Sequence, residues 1–372
     1  MSVPFAKPFI GEEEKQEILK VLDSGWLTTG PVTARFEEEF AEYIGRRYAV
    51  GTTSCTAALH IALLCCGAGP GKEVVTTPMT WVATANAIAY TGAKPVFADI
   101  DPCTLNIDPA EIKKHITKST VAILPVHLFG NPCDMKKIIS IAAEQGKHLV
   151  GDCAHAIEAE LGLRKVGSFG SIDCFSFWGT KNISTGEGGM LVTNHRWVYN
   201  AARELRSFGL DGGSRYPDGH YGQSMLGWKY NMFDIQAALG IHQLRRVEER
   251  WSLRSSAASI YDKLLTPLND YIRMPLQQYG SRHAHHIYPI LLKRANRDEV
   301  LSFMKSKGIG VGIHYQPVHL EPWYKETYGY KEGDFPIAED VGRRILSLPF
   351  WPEITREQQK EVVSALKEVV SS

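Results

Sequence analysis

The chain has 372 residues, 44% hydrophobic and 22% charged, with 41 basic side chains balanced by 41 acidic ones. A neutral, evenly mixed chain without a basic run gives no electrostatic case for nucleic acid or an anionic membrane. No apolar run reaches the roughly 18 residues that a membrane span needs. Residues 1–7 lack the basic start and apolar core of a signal peptide. Seven cysteines with neither regular spacing nor a CxxC pair argue against a disulfide scaffold and a zinc site. We therefore expect a cytoplasmic protein with free thiols, in which the acceptor pattern at Asn182-Ile183-Ser184 is a chance match.

In chain order, helical periodicity over residues 12–22 stops at Ser24-Gly25, and a second helix over 32–44 follows the loop that carries Thr28 and Thr29. From Tyr48 onward short apolar strands alternate with helices. Strands are expected at 48–52, 74–77, 94–99, 121–127 and 148–152, with helices at 55–66, 81–90, 109–116 (Asp108 as its cap) and 135–145. This alternation predicts an α/β fold with a parallel sheet wrapped by helices. In such sheets ligands bind outside the carboxyl ends of the strands, where Ser54, Trp81, Asp152 and His155 fall. A strand over 189–193 follows a glycine-rich loop. One long helix over 235–265 marks a boundary between a large domain, residues 1–245, and a smaller α/β domain, residues 246–372. In the latter we expect strands at 287–292 and 311–315 and helices at 298–305 and 355–370.

Lys181 lies between an apolar-aromatic run and a loop with three glycines. Lysine forms Schiff bases with carbonyl cofactors once a desolvated site lowers its pKa, so Lys181 is a candidate anchor for pyridoxal phosphate; the alternative is an exposed lysine in a hairpin. That cofactor also needs a carboxylate for its ring nitrogen, an aromatic cover and a phosphate cradle. Asp152 ends a buried-type strand, where a carboxylate is costly without a cationic partner, although it would equally cap a turn. Ser54, Cys55 and Thr56 open a helix just after a strand, a natural phosphate site as well as an ordinary cap. Ser176 offers a further phosphate contact, and Trp81 is either the ring cover or a core tryptophan. His283, His285 and His286 look metal-like but have no cysteine or carboxylate nearby, so no metal is expected. The glycine loop is not a dinucleotide motif, and Asp152 with His155 lacks the nucleophile elbow of a hydrolase triad.

Several segments jointly resemble the DegT/DnrJ/EryC1/StrS sugar aminotransferases, a pyridoxal phosphate (PLP) family of fold type I, which implies a mixed, mostly parallel sheet wrapped by helices. They are Ser24-Gly-Trp-Leu-Thr-Thr-Gly-Pro31, Ser54-Cys-Thr-Ala-Ala-Leu59, Trp81-Val-Ala-Thr-Ala-Asn86, Pro125-Val-His-Leu-Phe-Gly130, Asp152-Cys-Ala-His-Ala156, Thr180-Lys-Asn with Thr185-Gly-Glu-Gly-Gly189, Gly227-Trp-Lys-Tyr-Asn-Met232, Asp234-Ile-Gln-Ala-Ala238 and His314-Tyr-Gln-Pro-Val-His319. The resemblance implies that Lys181 bonds the cofactor aldehyde and moves the substrate proton. It also implies that Asp152 pairs with the pyridine nitrogen, His155 lies near the ring oxygen, Trp81 stacks on the ring, and Ser54, Cys55 and Ser176 hold the phosphate. In the family an asparagine from the neighbouring subunit commonly reaches the phosphate. Here that position is Lys229, with Asn231 close by, and either residue could serve in a homodimer with shared sites. Trp178-Gly179 also departs from the family's usual small or mixed residues. Some members carry histidine in place of the lysine and dehydrate their substrates, so Lys181 supports amino transfer.

The reaction implied is ping-pong transfer from L-glutamate to a nucleotide-linked keto-sugar. The Lys229-Tyr-Asn motif resembles the branch that aminates C4, which suits a 4-keto-6-deoxy sugar or 4-keto-pentose on UDP, dTDP or GDP. Candidate groups for that substrate are Thr28, Thr29, His314, Tyr315 and His319, with Arg206 as an outside choice. Other PLP chemistry stays open: a 3-keto-sugar or cyclitol aminotransferase, a sugar dehydratase or a cysteine-metabolism lyase. So does a non-catalytic protein of the same fold.

Overall fold

The alternating strands and helices build a seven-stranded sheet in the computed structural model of the chain, which describes residues 2–215 and 221–371. Its order is Tyr48–Thr52, Gly189–Thr193, Ile172–Ser176, His148–Asp152, Thr120–Leu124, Glu73–Thr76, Lys94–Phe97. Only Gly189–Thr193 runs against the others: it pairs antiparallel with both of its neighbours, while the remaining pairings are parallel. The sheet is therefore mixed but mostly parallel, as expected. Successive side chains of a strand point to opposite faces. Cys174 and Leu191 thus enter one apolar core with the helix Cys55–Cys65, whereas Phe175, Met190 and Val192 enter another with Phe36 and Phe40 of the helix Pro31–Ile44.

This topology collects distant segments at one edge. Ile172–Ser176 runs parallel to His148–Asp152, with Cys174 opposite Asp152, so the loop after Ser176 emerges beside Asp152. Gly189 returns opposite both Ser176 and Thr52, which brings the start of the helix Cys55–Cys65 to the same place. A side chain on Gly189 would put its Cβ 2.5 Å from the Cys55 nitrogen, so only glycine allows this approach.

Toward the C-terminus, the strands Ile272–Arg273, Tyr288–Leu292 and Ile345–Leu348 form an antiparallel sheet. The helices Val247–Leu265, Arg297–Ser306 and Arg356–Val370 cover it around Tyr261, Ile290, Leu348 and Leu366. Val3 packs into this core and pairs with Ile309, so the chain's start is joined to its last third.

Two expectations are corrected. The single helix over 235–265 is two helices, Asp234–Arg245 and Val247–Leu265, broken where Arg246 leaves helical geometry and pairs with Glu13 and Glu14. The strand over 311–315 is absent: only Gly312 makes a bridge, to Ser347, before His314 and Tyr315 turn to other partners. The strands Ile172–Ser176 and Ile345–Leu348 and the helices Arg196–Leu205, Pro322–Tyr328 and Pro336–Arg344 are among the elements that come in addition to the expected ones.

The helix Pro31–Ile44 has no side-chain cap of its own. Buried Asp234, about two hundred residues on, supplies one, accepting from the backbone amides of Gly30, Val32 and Thr33 and from the Thr33 hydroxyl. Replacing Asp234 with alanine removes a cap and strands buried donors, so it should cost about 2–4 kcal/mol of stability. Urea unfolding reads this as a lower midpoint at unchanged slope.

Candidate active site

The strand ends surround a cavity of about 510 Å³. Ser54, Cys55, Trp81, Asp152, His155, Ser176, Lys181, His314 and Tyr315, all expected at the site from sequence, line it. Lys181 sits on the loop that joins two adjacent antiparallel strands, closed by bonds from Phe177 to the Gly188 carbonyl and from Thr185 to the Phe177 carbonyl. Its own amide donates to Trp178, which fixes the turn. Burial pushes the Lys181 amine down to about 8, against the pull of Asp152 and Cys55. A neutral, nucleophilic amine is thereby available near physiological pH.

Asp152 is buried, and its carboxylate accepts from the Ala154 amide at 3.0 Å and the Thr84 hydroxyl at 2.8 Å. Thr84 in turn pairs with Thr80 at 2.8 Å. Burial pushes the Asp152 carboxyl above its usual range, with those two bonds and the Lys181 charge pulling it back. A carboxylate held so far from water, facing a cavity, calls for a cationic partner there, and a protonated pyridine nitrogen is one.

At the phosphate end, Ser54 caps the helix Cys55–Cys65 by accepting from the Ala57 amide, and its hydroxyl proton remains free to donate. The first amides of that helix have no intrahelical acceptor and so suit an anion. Cys55 lines the cavity as a thiol, its pKa pushed well up by burial. Trp81 is not a core residue: it is 59% exposed, at the cavity wall beside Tyr315. His155 accepts the Phe129 amide on Nδ1 at 3.2 Å, which leaves the proton of the neutral ring on Nε2, 3.4 Å from the Tyr315 hydroxyl. Burial keeps His155 well below its usual pKa, hence neutral. His314 stacks on Phe5, and its Nδ1 lies 3.0 Å from Ser347; burial and then Lys181 push it down to about 4. The donor set therefore fits pyridoxal phosphate: amine, buried carboxylate, aromatic wall and helix start converge on one cavity.

Other expected residues lie elsewhere. His319 does not reach the cavity: it is buried against Phe97 and Phe335, with Nε2 3.0 Å from Glu339. That carboxylate also collects the amides of Gly333 and Phe335, so the histidine belongs to a structural cluster. Arg206 is likewise spent on Glu37 and the Gly51 carbonyl. Thr28, Thr29, Lys229 and Asn231 are outside the cavity lining. Thr29 donates to the Met232 carbonyl and accepts from Asn231, Thr28 is exposed, and the Lys229 ammonium lies 5.3 Å from the centre of the Phe208 ring. His283 and His285 stack on each other, while His286 stacks on His155, so the three histidines do not converge. Among the described residues no cluster suited to a metal forms.

Sequence reasoning missed Thr84, Glu187, Trp178 and Ile313 at the cavity. The only signal for Thr84 was its spacing from Thr80 across a helix start, a pattern that any capped helix shares.

The amine titration gives a direct prediction. The rate at which cofactor-free protein captures pyridoxal phosphate should rise with pH through about 8, well below the ordinary lysine range near ~10.4. Below that pH the amine is protonated and unreactive. A stopped-flow pH series of the visible band measures it.

A model of the DegT/DnrJ/EryC1/StrS aminotransferase family matches residues 8–367. The chain is 41% identical to the spore coat polysaccharide biosynthesis protein SpsC of Bacillus subtilis, over 99% of this chain and 97% of the relative. Its fold superposes on the putative sugar aminotransferase Spr1654 of Streptococcus pneumoniae with a TM-score of 0.94 at 27% identity, covering 100% of this chain and 98% of that one. Spr1654 has been solved in PLP and PMP forms. The S. venezuelae protein DesV, solved with a ketimine intermediate, matches at 35% identity and a TM-score of 0.90, covering 97% and 95%. No helix among the described residues is long and apolar enough to cross a membrane. The chain belongs to the DegT/DnrJ/EryC1/StrS aminotransferase family, and its cofactor is pyridoxal 5'-phosphate.

Proposed function

We propose that this enzyme moves an amino group from L-glutamate to C4 of a nucleotide-linked keto-sugar, yielding 2-oxoglutarate and an amino-sugar nucleotide for polysaccharide or natural-product synthesis. The observation that carries the reading is the pairing of Lys181, its amine lowered to about 8, with buried Asp152 across one cavity. Support comes from the relatives: one is named for sugar amino transfer and another for polysaccharide synthesis. Assignment to C4 rests on the Lys229-Tyr-Asn motif.

When bound, pyridoxal phosphate supplies the electron sink. The protein's residues do the rest. Lys181 would hold the cofactor through its aldehyde, and its amine, lowered to about 8, would carry the proton at the reacting carbon. Asp152 would hold the ring nitrogen and keep it protonated. Trp81 would cover the ring, and His155, whose Nε2 lies 3.4 Å from the Tyr315 hydroxyl, would stand beside it. Ser54, Cys55 and Ser176 would hold the phosphate, and His314 and Tyr315 line the same cavity, where they would meet the substrate. Thr28 and Thr29 lie outside this cavity and, with Lys229 and Asn231, act from a partner subunit in a homodimer. Exposed apolar side chains on and beside these segments (Trp26, Leu27, Phe208, Leu226 and Phe233) support such an interface.

The test supplies loaded enzyme with L-glutamate and UDP-, dTDP- or GDP-linked 4-keto sugars, and follows products by mass spectrometry. One sugar should convert with equimolar 2-oxoglutarate. Conversion of 3-keto sugars alone would move the aminated position, and release of water without 2-oxoglutarate would make the enzyme a dehydratase.

A further inference from the structure

Adjoining Lys181 and His155 runs a partly buried polar chain that the reaction above does not use. Asn182, the residue after Lys181, donates from Nδ2 to Glu158 Oε2 at 2.7 Å and to the Ala284 carbonyl at 3.0 Å. Its Oδ1 lies 3.1 Å from Nδ1 of His286. The opposite amide orientation would set Oδ1 against a carboxylate and a carbonyl, so the network fixes the amide as placed. His286 Nδ1 must then be the donor, and its proton is fixed on that nitrogen. The His286 ring stacks on His155 with centroids 4.3 Å apart. Arg254 holds the same segment from behind, donating to the carbonyls of His285 and His286 at 3.2 Å each.

Glu158 is fully buried, and its Oε1 has no partner. A carboxylate kept in such a place at evident cost calls for a role. Burial pushes its carboxyl up to about 7, with Arg254 and then the Asn182 bond pulling it back. In either protonation state Oε2 can accept from Asn182.

We infer that Glu158, Asn182 and His286 are positioning residues: Glu158 sets the Asn182 amide, Asn182 sets the His286 tautomer, and the His286 ring braces His155 against the cofactor. This rests on the reading that His155 faces the cofactor ring.

The test uses the full chain labelled with 15N-histidine. Without cofactor, long-range proton–nitrogen spectra should show the His286 proton on Nδ1, the signal being assigned by its loss in His286→Gln; a proton on Nε2 overturns the inference. Two variants follow, with cofactor affinity read by titration of the visible band. Glu158→Met fills the space but leaves Asn182 only the Ala284 carbonyl as acceptor, so it should move part of the His286 proton population to Nε2 and weaken cofactor binding about tenfold. Glu158→Gln keeps the acceptor and should stay within about twofold of the parent. Wild-type tautomer and affinity in Glu158→Met, or equal losses in both variants, refute the role. Should Glu158→Met fail to fold, the parent's tautomer and the Glu158→Gln affinity still decide. The tautomer needs neither cofactor nor substrate, so its failure is separable from failure of the proposed reaction.

Discussion

Replacing Lys181 with alanine should abolish covalent capture of the cofactor and lower turnover by about 100- to 10,000-fold from the loss of acid–base transfer alone. The loop itself should survive, because its closing bonds run through the backbone of Phe177, Thr185 and Gly188 and do not involve the Lys181 side chain. Because burial depresses the Lys181 amine, the cofactor-free variant should show no loss of stability in urea, while the visible band is lost. An intact band in the variant would place the reactive amine elsewhere. Among the described residues no other lysine lines the cavity.

Asp152→Asn separates charge from shape. The substitution keeps the side chain's volume and an oxygen for the Ala154 amide, but withdraws the negative charge from the ring nitrogen. A buried cation left without its partner costs about 3–5 kcal/mol, or roughly a hundred- to several-thousand-fold in rate. The effect on the empty protein has the opposite sign. Because burial raises the Asp152 carboxyl, the ionised group weakens the folded state as pH rises through its folded pKa, and its stabilising share is complete only below the ordinary carboxylate range. At neutral pH the cofactor-free variant should therefore melt at least as high as the parent. A variant that is inactive and also much less stable would make Asp152 a structural residue.

Much of this site was legible because strand alternation announces itself locally. The positions of Ser54, Trp81 and Asp152 follow from where apolar runs stop, and in a parallel sheet those stops share an edge. Lys181 needed one fact more, the direction of Ile172–Ser176, because only a strand parallel to His148–Asp152 delivers the following loop to that edge. The supporting layer was not legible. Glu158, Asn182 and His286 are separated by 24 and 104 residues and share no period. His319 misled because a histidine five residues after His314 reads as a second ligand, whereas the chain turns it toward Glu339. The break at Arg246 was hidden because the two helices share a near-continuous helical pattern, and the pairing with Glu13 and Glu14 is a long-range event.

The most direct measurement adds L-glutamate alone to cofactor-loaded protein and follows the visible spectrum together with 2-oxoglutarate. Amino transfer predicts loss of the band with one equivalent of 2-oxoglutarate per site, and its return when a nucleotide-linked keto-sugar replaces the glutamate. A band that persists through glutamate, with no 2-oxoglutarate formed, would contradict the account and leave a PLP enzyme of another reaction.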